Sequence, residues 1–133
     1  MFSKSCQYAI RGMIYLAKNR HGSQRIGVRE IASELNVPQQ FLAKVLQQLA
    51  RHDLVGSVKG PTGGFWLEDR HLVNPVLKII ECIDGPLVLN SCILGLPHCS
   101  SENPCALHSN FYGCREGLKS TLELKKIVDF LAG

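Results

Sequence analysis

Three cysteines and a histidine lie close together in the second half of the chain: Cys92, Cys99, Cys105 and His108. Thiolate and imidazole are the groups that bind zinc and iron–sulfur clusters in proteins. The surrounding residues are rich in proline and glycine, so a loop is predicted here. With Cys114, this segment contains four of the six cysteines, whereas disulfide frameworks of small secreted domains spread cysteines along the chain. The pattern predicts a metal or iron–sulfur site.

The composition fits one small cytoplasmic domain. A chain of 133 residues can bury a single stable core, alone or with an oligomerisation arm. It contains no apolar run approaching the roughly 18 residues that span a bilayer, and its start lacks the features of a signal peptide. We therefore expect a cytoplasmic protein without membrane contact, whose clustered thiols stay reduced and act as ligands or redox sensors.

Basic residues are concentrated before the cysteine segment. Residues 1–71 contain ten Lys and Arg against five acids, and residues 72–133 contain five against six. A surface that binds a polyanion is therefore expected in the first half, if a motif organises the charge. Without such a motif, a solvated basic face explains the charge equally well.

Three helices are predicted in this first half from the spacing of apolar residues: 3–18, with Ser3 or Ser5 as its cap, 28–35, and a third that starts at Gln39. Pro38 separates the second from the third. This arrangement is typical of a helix-turn-helix, although two ordinary packed helices share it. The polar face of the third helix can bond base edges and phosphates. Its candidate DNA-binding residues are Gln39, Gln40, Ala43, Lys44, Gln47 and Arg51.

A β-hairpin is predicted directly after the third helix, with strands at 54–59 and 65–68. Such a hairpin is the wing of winged-helix proteins and lies along the duplex. Its glycine-rich turn lets the backbone approach phosphates, and Lys59 stands at its edge to contact a phosphate or a narrow minor groove. The turn consists of Gly60, Pro61, Thr62, Gly63 and Gly64.

The remaining chain is predicted to form a short apolar helix at 76–83 and a long final helix. We expect the final helix to start with Asn103 as its N-cap, to continue to Leu131 and to break near Gly117. Cys105 and His108 would then share one helical face, and the helix N-terminus would favour the Cys105 thiolate. A small domain has little to cover so much apolar surface, so a dimer interface is expected.

These motifs, in this order, resemble the Rrf2 family of bacterial transcription factors, whose branches include the iron–sulfur regulator IscR and the nitric-oxide-sensing repressor NsrR. The resemblance covers nearly all of residues 1–131 and includes the first helix (5–17), the wing (58–67), the segment 79–87 and the spaced cysteines. It implies a mainly α, winged helix-turn-helix homodimer with a two-stranded wing and a long C-terminal dimerisation helix. The implied division is a DNA-binding domain at 1–75 and a cysteine loop with dimerisation helices at 76–133.

The resemblance also implies that Cys92, Cys99 and Cys105 bind an iron–sulfur cluster, of two or four irons, that controls binding to a pseudo-palindromic DNA operator. The helix from Gln39 and the turn after Lys59 would contact that DNA. The fourth ligand stays open between His108, three residues after Cys105, and Cys6 from the first helix of the partner subunit. Ala43 departs from the IscR branch, which has a base-reading glutamate there.

Other classes of function remain open from the sequence. One is a cluster-free regulator that responds through thiol oxidation or a partner protein. Another is a zinc-stabilised protein-interaction module, although zinc sites usually contain cysteine pairs two to four residues apart. Cys82 is expected to be a small buried side chain and Cys114 a bystander. An enzyme is not expected, because no phosphate-binding loop, paired-carboxylate site or Ser/His/Asp pattern can be placed.

Overall fold

The computed structural model describes residues 2–22 and 24–132. It is mainly helical, with one two-stranded antiparallel sheet, so the predicted fold class is confirmed. In chain order the elements are α1 (Lys4–Lys18), α2 (Val28–Leu35), α3 (Gln39–Arg51), β1 (Gly56–Val58), β2 (Gly64–Trp66), α4 (Asp69–Leu72), α5 (Val76–Asp84), α6 (His108–Leu124) and a final 3₁₀ helix (Ile127–Ala132).

Helix α1 is the central helix of the core. Ser3 caps its N-terminus, because the Ser3 Oγ accepts a 3.0 Å hydrogen bond from the Cys6 N–H. One face of the helix is buried against α3 and α5. The helical spacing of apolar residues in the sequence therefore corresponds to the face of α1 that is packed in the core. The buried residues of α1 are Cys6, Ala9, Gly12, Met13, Leu16 and Ala17.

A tight turn separates α2 from α3. Asn36 follows α2 in the left-handed conformation, with φ 55°, which asparagine adopts more readily than most residues. Pro38 then stands immediately before α3, where its fixed φ suits a helix start. The apolar stripe of α3 is buried, so its polar face is turned outward. The buried residues of α3 are Leu42, Val45, Leu46 and Leu49.

The wing is shorter than the predicted hairpin. The register of β1 and β2 pairs Gly56 with Trp66 and Val58 with Gly64. Leu54 and Leu67, expected to lie in the strands, are buried in the core instead of extending the ladder. On its other side β2 pairs with the chain before α2, where the Ile26 N–H donates to the Phe65 carbonyl at 2.8 Å. This bridge fixes the wing to the helical core.

The hydrophobic core crosses the domain boundary expected at residue 75. Helix α5 packs against both α1 and α3, and its Ile79 and Ile80 are fully buried. The chain after α6 also returns to this core, where Ile127 is fully buried and the Val76 N–H donates to the Lys125 carbonyl at 2.8 Å. The described residues of 4–84 and 127–132 therefore share one core. Residues 85–126 lie mostly outside it, apart from the buried Leu89 and the partly buried Val88 and Leu122.

The final helix starts later than predicted, at His108 rather than after Asn103. The reason is local: the Asn103 N–H donates to the Ser100 Oγ and the Cys105 N–H to the Cys99 Sγ, so these donors serve the cysteine loop instead of a first helical turn. The predicted break near Gly117 is also absent. Helix α6 continues through it to Leu124, where the chain becomes extended at Lys125.

Among the described residues, every helix is too short or too polar to span a membrane.

Candidate metal centre and DNA-binding face

The loop between α5 and α6 brings the three predicted cysteine ligands together. The Sγ atoms of Cys92, Cys99 and Cys105, called here the cysteine triad, lie within 4.8 Å of one another, and the Cys92 and Cys105 sulfurs are 3.8 Å apart. Two turns shape the loop, because the Gly95 N–H donates to the Cys92 carbonyl and the Cys99 N–H to the Leu96 carbonyl. Three half-buried thiols converging on one point form a ready set of metal ligands.

His108 lies at the edge of the cysteine triad. Its Nδ1 is 3.4 Å from the Cys99 Sγ, and the residue is the first of α6. The expectation that Cys105 and His108 share a helical face was wrong, because Cys105 lies in the loop before the helix. The imidazole nevertheless reaches the triad. His98, next to Cys99 in sequence, is exposed.

The thiols of the triad differ in their acidity. The backbone N–H groups of Leu96 and Leu94 bond the Cys92 sulfur and lower its pKa to about 7. The Cys105 N–H lowers the pKa of Cys99, but burial and the neighbouring thiols of Cys105 and Cys92 raise it above its usual value overall. The Cys92 thiol is therefore more readily ionised near neutral pH than the Cys99 thiol, and the thiolate is the state that binds metals.

The cysteines outside the triad have other environments. Cys6 is fully buried in the core of its own protomer, and burial, with the carboxylate of Asp84, raises the pKa of its thiol to about 12. This environment favours a structural thiol over a ligand for the partner's centre. Cys82 is half-buried, with its Sγ 3.4 Å from the His52 Nδ1. Cys114 is exposed on α6.

The second predicted site lies on α3. Gln39, Gln40 and Gln47 are exposed on its outer face. Lys44 and Arg51 are also exposed there, whereas Ala43 is half-buried. This face has the mixture of amides and cations that can bond base edges and phosphates.

A groove of about 450 Å³ separates α3 from the wing. Gln47 and Arg51 line one side of it, and Ser57 and Lys59 line the other. Arg70 also lines the groove, but its guanidinium is paired with the carboxylates of Asp53 and Glu68. The second half of α3 and the wing edge therefore line one groove, in which Arg51 and Lys59 carry positive charge.

The wing turn has two kinds of glycine. Gly60 has φ 105° and open space around it, which agrees with a backbone exposed for contact. At Gly63 and Gly64 a side chain would collide with the backbone, 2.1 Å from the Val58 oxygen and 2.6 Å from the Ile26 oxygen respectively. Packing within the protein therefore requires these two glycines. Pro61 and Thr62 are exposed at the tip, next to Lys59.

Comparison with known proteins identifies the family. The model of the Rrf2 family, described as iron-dependent transcriptional regulators, matches residues 2–133. The chain belongs to the Rrf2 family. A candidate HTH-type transcriptional regulator of Aquifex aeolicus is 38% identical over 136 residues, which cover 100% of this chain and 86% of that protein.

One further relative and one solved structure are also similar to this chain. The transcriptional repressor NsrR of Streptomyces coelicolor is 25% identical over 130 residues, which cover 98% of this chain and 87% of the relative. The structure of CymR, the global cysteine regulator of B. subtilis, superposes with a TM-score of 0.79 at 23% identity and covers 99% of this chain and 96% of the other. The described residues of this Rrf2 protein thus have the same fold as that regulator.

Some residues at both sites of this Rrf2 protein were not predicted. Phe41 is 41% exposed in the first turn of α3, where its ring meets that of Tyr8 edge to face at 5.4 Å. Tyr112 and Arg115 of α6 line, together with Cys92, Cys99 and His108, a cavity of about 270 Å³ beside the triad. The sequence pattern did not predict Tyr112 and Arg115, because they reach the cavity only when α6 lies beside the cysteine loop.

The side chains around this cavity fit an anionic metal group. The donor set is three sulfurs with an imidazole nitrogen close by, which matches iron–sulfur ligation. The Arg115 Nε is buried and has no hydrogen-bond partner within the described part of the chain. A buried donor without an acceptor is costly, so an acceptor in the cavity would complete the site.

Proposed function

We propose that this Rrf2 protein is a cytoplasmic, homodimeric transcriptional regulator whose operator binding is controlled by an iron–sulfur cluster. The observation that carries the proposal is the convergence of three thiols from Cys92, Cys99 and Cys105 within 4.8 Å, in the same chain as a winged helix-turn-helix. Kinship with NsrR of Streptomyces coelicolor supports it as well.

In this proposal α3 enters the major groove and the wing follows the backbone beside it. Gln39, Gln40 and Gln47 bond base edges, and Lys44 and Arg51 bond phosphates or guanines. Ala43 presents only a methyl group, so it can contact a thymine methyl but cannot read a base by hydrogen bonding. A dimer places two such helices on the half-sites of a pseudo-palindromic operator.

On the wing side, Lys59 contacts a phosphate or the adjacent minor groove. Gly60, Pro61 and Thr62 form the exposed tip that approaches the backbone. Gly63 and Gly64 act indirectly, because they permit the close packing that holds the tip in place.

The metal centre is held by the cysteine triad, with His108 as the preferred fourth ligand because its Nδ1 already lies 3.4 Å from the Cys99 sulfur. When bound, an iron–sulfur cluster supplies a centre that can gain or lose an electron and that oxidants or nitric oxide can modify. An imidazole ligand makes such a centre sensitive to pH as well. Two-iron and four-iron forms are both compatible with this donor set.

The signal reaches the DNA through α6. Helix α6 begins at the ligand candidate His108. All of its residues are described, and none of them is buried. Gain, loss or modification of the cluster would shift α6 and so the spacing of the two α3 helices across the dimer. A coupling of roughly 1 to 3 kcal/mol is enough to change operator affinity between about fivefold and a hundredfold.

The test uses protein purified without oxygen. Wild-type protein should contain iron and acid-labile sulfide together, and Cys105→Ser should lose both while keeping the helical circular dichroism of the wild type. Cys114→Ser is the matched control, because this thiol is exposed on α6 and lies outside the triad. Full cluster content in Cys105→Ser would disprove the ligand assignment, and operator affinity independent of cluster content would disprove the control of DNA binding.

A cluster-free thiol regulator is the second candidate. It is favoured by the 3.8 Å separation of the Cys92 and Cys105 sulfurs and by the lowered pKa of Cys92, because a thiolate beside a second thiol is set up for disulfide formation. Metal analysis separates the candidates: zinc without sulfide would indicate a structural ion, and metal-free protein with a Cys92–Cys105 disulfide after mild oxidation would indicate thiol sensing.

A further inference from the structure

Arg115 joins the metal centre to the dimerisation helix by two contacts. Its Nη1 donates a 2.6 Å hydrogen bond to the Ser91 carbonyl, directly before the first triad residue, Cys92. Its Cζ also lies 5.5 Å from the centre of the Tyr112 ring, in cation–π geometry. One side chain of α6 therefore touches the loop at the point where the ligand set begins.

The same face of α6 continues to the ligand candidate at its first residue. The rings of Tyr112 and His108 are stacked, with centroids 5.7 Å apart and planes at 22°. His108, Tyr112 and Arg115 follow helical spacing on one side of α6, and all three line the cavity beside the cysteines. The stack fixes the orientation of the imidazole relative to the Cys99 sulfur.

One donor of Arg115 is unused. Its Nε is buried, and no acceptor is within reach of it in residues 2–22 and 24–132. The thiols of Cys92 and Cys99 line the same cavity, and three thiolates around an iron–sulfur core give the group a net negative charge. A guanidinium is always charged, so it stabilises such a group more as that group gains negative charge on reduction.

We infer that Arg115 is a positioning residue for the iron–sulfur centre, an inference that rests on the proposed function. It holds the loop before Cys92 through the Ser91 carbonyl, directs its unused N–H to the centre, and raises the centre's reduction potential. Because the same side chain is part of α6, the charge of the centre is linked to the position of the dimerisation helix.

The test compares two variants of Arg115 in the full-length protein, reconstituted with iron and sulfide without oxygen. Arg115→Gln is neutral and too short to replace the Nη1 bond to the Ser91 carbonyl. Arg115→Lys keeps the charge but loses the planar fork of donors. Lys125→Gln is the control, because it removes one positive charge just beyond the end of α6, away from the cavity. Thermal unfolding of each apo-protein checks that the fold is kept.

Two readouts are measured: the reduction potential of the centre and the rate of iron loss to a chelator. Arg115→Gln should have a lower reduction potential than wild type, and Arg115→Lys should stay close to it. Both variants should lose iron faster, because replacing a group that orients metal ligands weakens metal binding by roughly 10- to 100-fold. Lys125→Gln should match wild type in both readouts.

The outcomes separate this inference from the proposed function. If wild type takes up the cluster and Arg115→Gln equals it in potential and in iron loss, the role of Arg115 is disproved while the proposed function stands. If wild type takes up no iron and sulfide, both fail. If Arg115→Gln does not fold, the iron-loss rate of Arg115→Lys decides, and a wild-type rate there would overturn the inference.

Discussion

Helices α3 and α6 are built in opposite ways. Helix α3 buries four leucine and valine side chains in 13 residues. Helix α6 is longer, at 17 residues, and buries none. Helix α3 is thus held firmly in the core, whereas α6 packs against that core through the partly buried Leu122.

Exposed large apolar residues are more frequent in residues 85–126 than elsewhere, although Phe41 on α3 is 41% exposed as well. Leu124 at the end of α6 is 75% exposed and Leu94 in the cysteine loop is 56% exposed. Leu46 on α3 is fully buried. Large apolar side chains left in water mark interaction surfaces, so residues 85–126 are the part of the chain where such a surface is most expected.

The strongest test of this contrast replaces a leucine in each region. Leu46→Ala should lower the free energy of unfolding by about 2 to 5 kcal/mol, because it leaves a cavity in the core. Leu124→Ala should change the stability of the monomer by less than about 0.5 kcal/mol, but should weaken the dimer. Urea unfolding at several protein concentrations measures the first effect, and sedimentation equilibrium measures the second. Equal effects on monomer stability would contradict the division.

A smaller effect is expected at the start of α1. Ser3→Ala removes the side-chain acceptor of the Cys6 N–H and should reduce stability by about 1 kcal/mol. Ser109→Ala, in the first turn of α6, is the matched control, because Ser109 is exposed there and the change should stay within about 0.5 kcal/mol. The comparison is made by thermal unfolding of the apo-proteins. A larger loss for Ser109→Ala would show that α6 contributes to the fold of the monomer.

The smallest effect is expected for chemical modification of one cysteine in each region, which leaves the protein folded. In apo-protein, iodoacetamide should alkylate Cys92 at a rate that rises between about pH 6 and pH 8, because the thiolate of a group with a pKa of about 7 forms in that range. Cys6, with a pKa of about 12 and no exposed surface, should react only after unfolding. Peptide mass spectrometry follows both sites. Modification of Cys6 in folded protein would show that its region opens.

Local sequence patterns predicted helices α1, α2, α3 and α5 well. Helix α2 has the predicted bounds, α3 begins at Gln39, and α1 and α5 differ from prediction by a single residue at one end. These helices bury regular apolar stripes and are bounded by Ser3, Asn36 and Pro38, whose preferences act over a few residues. Helix α4 was missed, because its one turn depends on a capping box between Glu68 and His71.

The cysteine loop was predicted less well, for a physical reason. The start of α6 depends on the hydrogen bond from the Cys105 N–H to the Cys99 sulfur. Helical and strand patterns in the sequence do not predict this contact. The convergence of the three sulfurs followed the prediction. The positions of Tyr112 and Arg115 beside the triad could not be predicted from the sequence, because they require α6 to lie beside the residues before Cys92.

The return of the chain to the core at Ile127 has an evolutionary consequence. Because residues 85–126 are anchored at both ends, changes of length within them do not alter the path of the chain through the core. The entropy of closing a flexible segment grows slowly, by about 0.6 kcal/mol for each doubling of its length. Changes in the length of residues 85–126 should therefore cost the core little free energy, so this segment can vary more freely than the helices packed in the core.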